Sequence, residues 1–578
     1  MLDIASPQIL HRPWRRAFLL GLAVFLLLWI LSVPYRAAYV PTSMDIPALA
    51  DGLLLSPGAH WQTWFTHGYS DFWDDYPEWP LRATGFTRPA FQFMIYVAHF
   101  ALGNDWASYQ VINCLAVAGL AAVAFLIAQT ALGLSTSLSL LAAILVVLSP
   151  PVLLCWVFGL ASAHELIATF FVAGAFLAVV ARRDFFCLLF LFAGLLIKEN
   201  AVWAPLAAAM TIMLRANDKE SAHRRSLTAA AMFLPVAVWL CIRFAFFGGI
   251  GGTYATTGYT PVTDFLRLAF QKLIHINLLF VSQYSLVTSG PWALLDHAIR
   301  IGTIIVVYSL LSLWALRVLP EAIGYLRHGI YKARWPTVDA IFLVALWAAI
   351  ALAFHFALAL PWWERYAPSV CVFVWPALVA EAERRGKAVI WLGVALCSVV
   401  AIVRSAYFNT VQWATNAVQN EPVAVMNAAL HEVPTTTRQI YVLGDSLQYT
   451  NPKYVGLVLD VSAEIVRISD IDWGQCNELN LVSFDHNTSD GVVNVTISLP
   501  SCAEFYFANS RFGVITPTNG RLYRNPTMSY ELPEGHPVKP WPSFYLGRKM
   551  IVHVRPNGPA RFIIEHGGAN GIAWFDIP

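Results

Sequence analysis

Long apolar runs, each ending at a basic residue or a turn, follow one another through about the first 405 residues; after about 406 the pattern shifts to short stretches of alternating polarity. The apolar runs lie near 17–35, 107–131, 134–154, 163–181, 185–197, 200–215, 226–247, 297–316, 338–360, 367–380 and 388–405. A helix crossing the hydrocarbon core needs about 20 predominantly apolar residues. This reading predicts a polytopic helical membrane protein with about eleven crossings. The stretch 88–102 is apolar but short, and is expected to lie in the membrane interface. An amphipathic run near 264–282 is expected to do the same.

The later pattern is different in kind. Val492-Val-Asn-Val-Thr-Ile-Ser498 and Met550-Ile-Val-His-Val554 alternate with the period of a half-buried strand. Two units are therefore expected: a membrane part, 1–405, and a β-rich or α+β domain, 406–578, long enough to fold around its own core. Composition agrees. The chain has 578 residues, of which 58% are hydrophobic and 12% charged, and its mean hydropathy is +0.58. A soluble protein carries about 25% charged residues. A net charge of +2 without a basic stripe gives no sign of a nucleic-acid partner.

Charge placement orients the spans. The first apolar run follows Arg12, Arg15 and Arg16, without a small-residue cleavage site, and is expected to be retained as the first helix. If the N-terminus is cytoplasmic, the inner loops are those holding Arg182–Arg183, 215–225, 317–334 and 381–387. These are also the basic loops, as the positive-inside rule requires. The same count places a loop of about 36–88, the 248–296 stretch and the C-terminal domain outside. It also puts Lys198, Glu199, Glu364 and Arg365 at outer helix ends. It holds only if both short runs within 185–215 cross.

Charges at membrane depth are costly and mark sites. Asp45 and Arg88 bracket the first outer loop. A carboxylate there suits a general base for a hydroxyl acceptor, and equally a helix cap ahead of Ile46-Pro47. Guanidinium matches phosphate geometry, which suits Arg88, and a snorkelling anchor is the plain alternative. Lys198–Glu199 and Glu364–Arg365–Tyr366 are candidates of the same kind, with interfacial anchoring as the alternative. His164–Glu165 sits near the outer end of its span. Six of the eight cysteines lie in apolar runs. Cys476 and Cys502 lie in the outer domain, where an oxidising compartment favours a disulfide. No cysteine spacing suggests zinc.

Three short motifs occur in order: Arg88-Pro-Ala-Phe-Gln-Phe with Leu102-Gly-Asn-Asp-Trp-Ala-Ser-Tyr109 and Asn113, then Leu196-Ile-Lys-Glu-Asn200, then Glu364-Arg-Tyr366. Together they resemble the GT-C glycosyltransferases, closest to the protein O-mannosyltransferase-like branch that includes the transmembrane, tetratricopeptide-repeat mannosyltransferases. The resemblance covers about residues 15–405 and is silent on the outer domain. It implies a GT-C membrane fold and inverting transfer of a sugar from a polyprenyl-phosphate donor, with Asp45 as catalytic base. Arg88, Lys198 and Arg365 are then donor-phosphate ligands. Glu199, Glu364, Tyr366, His164 and Glu165 support them or bind sugar. Many relatives carry two adjacent acids where this chain has Met44-Asp45, so no metal or other cofactor is expected to be required.

The partners implied are the lipid-linked donor, membrane lipids and an extracytoplasmic acceptor: lipid-linked glycan, lipopolysaccharide or protein. The setting implied is a bacterial inner membrane, with site and C-terminal domain facing the periplasm and serving cell-envelope glycan synthesis. Two alternatives are an oligosaccharyltransferase-like enzyme, for whose usual motif only Asp472-Trp-Gly474 is present, and a polytopic lipid or glycan flippase.

Overall fold

The computed structural model describes residues 7–33, 36, 88–103, 105–157, 160–214, 222–247, 340–357, 367–386, 432–444, 461–468, 470–472, 483–501, 503–508, 516–518, 521–525, 528–531, 543–565 and 572–578, with isolated positions between 294 and 430. The chain divides into two compact units. One comprises 1–37, 88–91 and 108–414; the other comprises 38–87, 92–107 and 415–578.

The first unit is helical. Its described helices are α1 (Pro7–Leu31), the start of α2 (Pro89–Leu102), α3 (Gln110–Leu126), α4 (Thr136–Val147), α5 (Pro150–Val157), α6 (Leu160–Val180), α7 (Asp184–Ile197), α8 (Ala204–Leu214), α9 (Ala222–Ala231), α10 (Leu234–Phe247), α11 (Ala340–Ala357) and α12 (Pro368–Arg385). Among the described residues, four helical stretches are long and apolar enough to cross a membrane: Pro13–Leu31, Ala107–Ala131, Ser162–Val180 and His223–Ala245. Phe18, Leu19 and Ile30 on α1 stay exposed, as side chains facing lipid do.

The expected count of about eleven spans is thus not reached. Two of the runs, 297–316 and 388–405, lie outside the described residues but for isolated positions, and the amphipathic run lies outside them entirely. The run 134–154 is not one straight helix. It bends by 57° between Thr136–Val147 and Pro150–Trp156, because Pro150 and Pro151 bring no N–H to continue the ladder of α4. The runs 185–197 and 200–215 form α7 and α8, of 14 and 11 residues. At 1.5 Å per residue both fall well short of a hydrocarbon core about 30 Å thick.

The chain does reverse between those two helices. Lys198 leaves the helical region at φ −156°, ψ 130°, and a 3₁₀ turn over Glu199–Trp203 follows. A Cβ built on Gly194 would lie 3.4 Å from the Cβ of Ala201. In a continuing helix those residues would be about 10 Å apart along the axis.

Short contacts give the bundle two distinct ends. Arg16 Nη1 donates to Thr136 Oγ1 at 2.6 Å, which joins the start of α1 to the turn between α3 and α4. Gln110 Nε2 donates to the carbonyl of Trp156 at 3.1 Å, which joins the start of α3 to the end of α5, near where α6 begins. Helix α6 therefore runs antiparallel to α3, and its C-terminal turn at Arg182–Arg183 belongs to the Arg16 end. Midway, the two helices meet where a Cβ on Gly119 would approach the Phe170 ring at 3.0 Å. Helices α11 and α12 dock through Trp347. Its Nε1 donates to Thr211 Oγ1 at 2.9 Å, and its ring meets Phe176, Trp203 and Phe373.

In the second unit the described strands form three sheets. Strands β12 (Ala560–Glu565), β1 (Gln439–Leu443) and β2 (Glu464–Arg467) run parallel, and β13 (Ile572–Ile577) closes the edge of β12 antiparallel. A six-stranded antiparallel sheet has the order β4 (Ser483–Ser489), β5 (Val492–Ser498), β11 (Lys549–Val554), β9 (Met528–Glu531), β8 (Arg521–Asn525), β7 (Thr516–Thr518). A small sheet joins β10 (Ser543–Gly547), β6 (Glu504–Ala508) and β3 (Asp470–Asp472). The two runs expected to be strands are β5 and β11, which pair with each other. Val493, Val495, Ile497, Met550, Val552 and Val554 turn inward, joining Tyr441, Phe505 and Phe562 in one core shared by all three sheets.

Candidate functional site

At the end of the first unit opposite Arg16 and Arg182, side chains from three separated segments meet. Helix α6 presents His164 and Glu165 near its N-terminus. The reversal after α7 presents Lys198, Glu199 and Asn200. Arg88 stands immediately before α2, where Pro89 fills the first helical position and loses no intrahelical hydrogen bond.

Lys198 is the centre of the cluster. Its Nζ lies 3.2 Å from Glu165 Oε1, 3.3 Å from Glu199 Oε1 and 3.2 Å from His164 Nε2. An ammonium has three donors and no acceptor. His164 Nε2 also stands 3.6 Å from Glu165 Oε1. Asn200 Nδ2 reaches both oxygens of Glu165, at 3.3 and 3.1 Å. Phe91 packs edge-on against the His164 ring, 5.3 Å between centroids.

Arg88 holds Glu199 with a fork: Nη2 to Oε1 at 3.1 Å and Nε to Oε2 at 3.4 Å. Two hydrogen bonds fix the plane of the guanidinium as well as its position. Arg88, His164, Glu165 and Lys198 are each 5% exposed or less. Burial alone would raise the Glu199 carboxyl, but the charges of Arg88 and then Lys198 outweigh it and hold the group far below the usual carboxylate range. Desolvating charges on this scale costs several kcal/mol per ion before pairing.

Two members were not singled out from the sequence. Asn200 was visible only as part of a motif. Arg243, on α10, is 1% exposed, lies near the face of Trp239 and interacts electrostatically with Glu199 and Arg88. Its signal was present: a lone arginine inside Leu234–Phe247, an otherwise apolar helix.

Of the residues expected to share one face, the structure brings together Arg88, His164, Glu165, Lys198 and Glu199. Asp45, Glu364, Arg365 and Tyr366 lie outside the described residues, as do Cys476 and Cys502. Among the described residues, no three His, Cys, Asp or Glu side chains stand close enough to hold a metal ion. Asn113, the last residue of the first motif, is fully buried and donates to Gln110 Oε1 at 3.1 Å, in the contact that ties α3 to α5. No protein-family model matches the sequence, and no curated protein matches it.

Proposed function

We propose that this protein is a membrane glycosyltransferase of GT-C type that moves a sugar from a polyprenyl-phosphate donor to an extracytoplasmic acceptor, with inversion. The observation that carries the reading is the convergence of Arg88, Lys198, Glu165 and Glu199 at the end of the bundle opposite its arginine-bearing turns. The order of the three GT-C-like motifs adds to it.

In this reading the acceptor hydroxyl attacks the sugar C1 from the face opposite the phosphate and passes its proton to Asp45. The C1–O bond breaks, and polyprenyl phosphate leaves with the bonding pair. Arg88 and Arg365 meet the charge that develops on the phosphate. Glu165 and Asn200 fix Lys198, Lys198 helps fix Glu199, and Glu199 fixes the plane of the Arg88 guanidinium before the donor arrives. Such prepaid orientation is a main source of catalysis where charge separates. By the positive-inside rule the cluster faces the outside of the membrane, the side of an extracytoplasmic acceptor. A flippase would string polar groups through the bundle. The ion pairs Arg88–Glu199, Glu165–Lys198 and Glu199–Lys198 gather instead at one end of the bundle.

The test uses the full chain in lipid nanodiscs with radiolabelled polyprenyl-phosphate hexoses and a membrane-glycan acceptor fraction. Wild type is expected to release polyprenyl phosphate and label the acceptor. Asp45→Asn is expected to lose transfer while still binding donor, and Arg365→Ala to bind donor more weakly. Near-normal turnover by Asp45→Asn overturns the base assignment. Absence of both donor binding and turnover in the wild type overturns the function.

A further inference from the structure

On the C-terminal sheets Trp574 is a large apolar side chain left 44% exposed. It sits on β13, the edge strand of its sheet. Strand alternation sends its neighbours to opposite faces. Phe575 stacks on Phe562 with 5.2 Å between centroids, and Ile577 is buried in the shared core. Trp574 and Asp576 therefore share the other face, where the Asp576 side chain is 53% exposed.

Both are held by a residue that is itself buried. Arg561 stands directly opposite Asp576 in the ladder and is 3% exposed. Its Nε and Nη2 donate to the two oxygens of Asp576 at 2.7 and 3.1 Å, and its Nη1 to the carbonyl of Glu432 at 3.4 Å. Its guanidinium carbon lies over the Trp574 ring, 4.0 Å from the centroid. One desolvated cation thus fixes an exposed indole and an exposed carboxylate side by side. Such pre-organisation lowers the ordering cost of binding. The chemistry selects the ligand. An indole beside a fixed acceptor suits a molecule with one C–H face and hydroxyl donors at its rim.

We propose that Trp574 and Asp576 form a carbohydrate-binding platform, with the C–H face of a pyranose on the indole and its hydroxyls donating to the carboxylate. This site stands apart from the transfer reaction, and its test contains no transfer step. The full chain in nanodiscs is mixed in turn with maltose, cellobiose, mannobiose and lactose, and saturation transfer to sugar ring protons is measured by NMR against empty nanodiscs. At least one sugar is expected to show transfer. Trp574→Ala is expected to bind it about five- to tenfold more weakly, on the scale of aromatic contacts. Trp574→Phe should keep part of the affinity, and Asp576→Asn should weaken it with the indole in place. If Trp574→Ala lowers the melting temperature, Trp574→Phe and Asp576→Asn decide the matter. Equal transfer in all variants, or no transfer from any of the four sugars, overturns the platform.

Discussion

Glu199 shows how much one side chain decides here. It accepts from Arg88 and Lys198 at once, and its removal leaves two cations buried without that carboxylate. Deleting one partner of a buried pair costs about 3–5 kcal/mol, and the partial exposure of Glu199 places it at the lower end of that range. Glu199→Gln is therefore expected to lower the melting temperature clearly in detergent; a shift within error contradicts the pairing. The pH dependence has a definite sign. The folded carboxyl sits below its ordinary value of 4.5, so the stabilisation is complete above that value and drains away as pH falls beneath it. The glutamine variant should lose that part of the acid limb.

Tyr441 has the opposite sign. Burial, and secondarily the charge of Glu464, push its phenol up to about 12. A raised folded value means stability that is full below the ordinary 10 and lost as pH rises toward 12. Two pH units correspond to about 2–3 kcal/mol. Tyr441→Phe is expected to flatten this alkaline limb, as read by near-ultraviolet circular dichroism of the C-terminal domain's aromatic signals.

At the scale of elements, the helices meet through small residues. A Cβ on Gly21 of α1 would lie 3.3 Å from the carbonyl oxygen of Ala118 on α3. That neighbour is backbone and cannot swing aside, unlike the Phe170 ring facing Gly119. Close backbone approach through small residues is how apolar helices pack where lipid offers no hydrophobic driving force. Gly21→Leu is expected to force α1 away from α3 and to cost about 1–3 kcal/mol. Gly21→Leu with unchanged thermal stability would show that this contact carries no weight. The same scale explains the broken run at 134–154. Composition marks it as apolar throughout, while two adjacent prolines divide it into α4 and a bent α5.

For the molecule as a whole, the helix directions predict which turns share a side. The α3–α4 turn and the α6–α7 turn belong to the end marked by Arg16, Arg182 and Arg183. Cysteines placed at Gly133 and Arg183, in a background without native cysteines, should therefore react with an impermeant thiol reagent from one and the same side of sealed vesicles. Reaction from opposite sides would break the antiparallel arrangement of α3 and α6, and with it the shared face of the charge cluster.

Apolar run lengths and period-two alternation, read along the chain, were enough to mark a helical part with candidate membrane spans, a sheet-forming C-terminal part and the strands β5 and β11. Those features depend on local burial preference, which each segment carries itself. The charges were equally legible as candidates, since ions in apolar surroundings stand out. What they do with one another was not. Lys198 reads along the chain as a phosphate ligand, and only the fold shows its ammonium within 3.2–3.3 Å of Glu165, Glu199 and His164. Arg243, a lone arginine in an apolar helix, is buried and feels the charges of Glu199 and Arg88. Pairing of this kind joins residues up to 111 positions apart. It depends on how α6, α7 and α10 pack, and no local pattern encodes the partner of a charge.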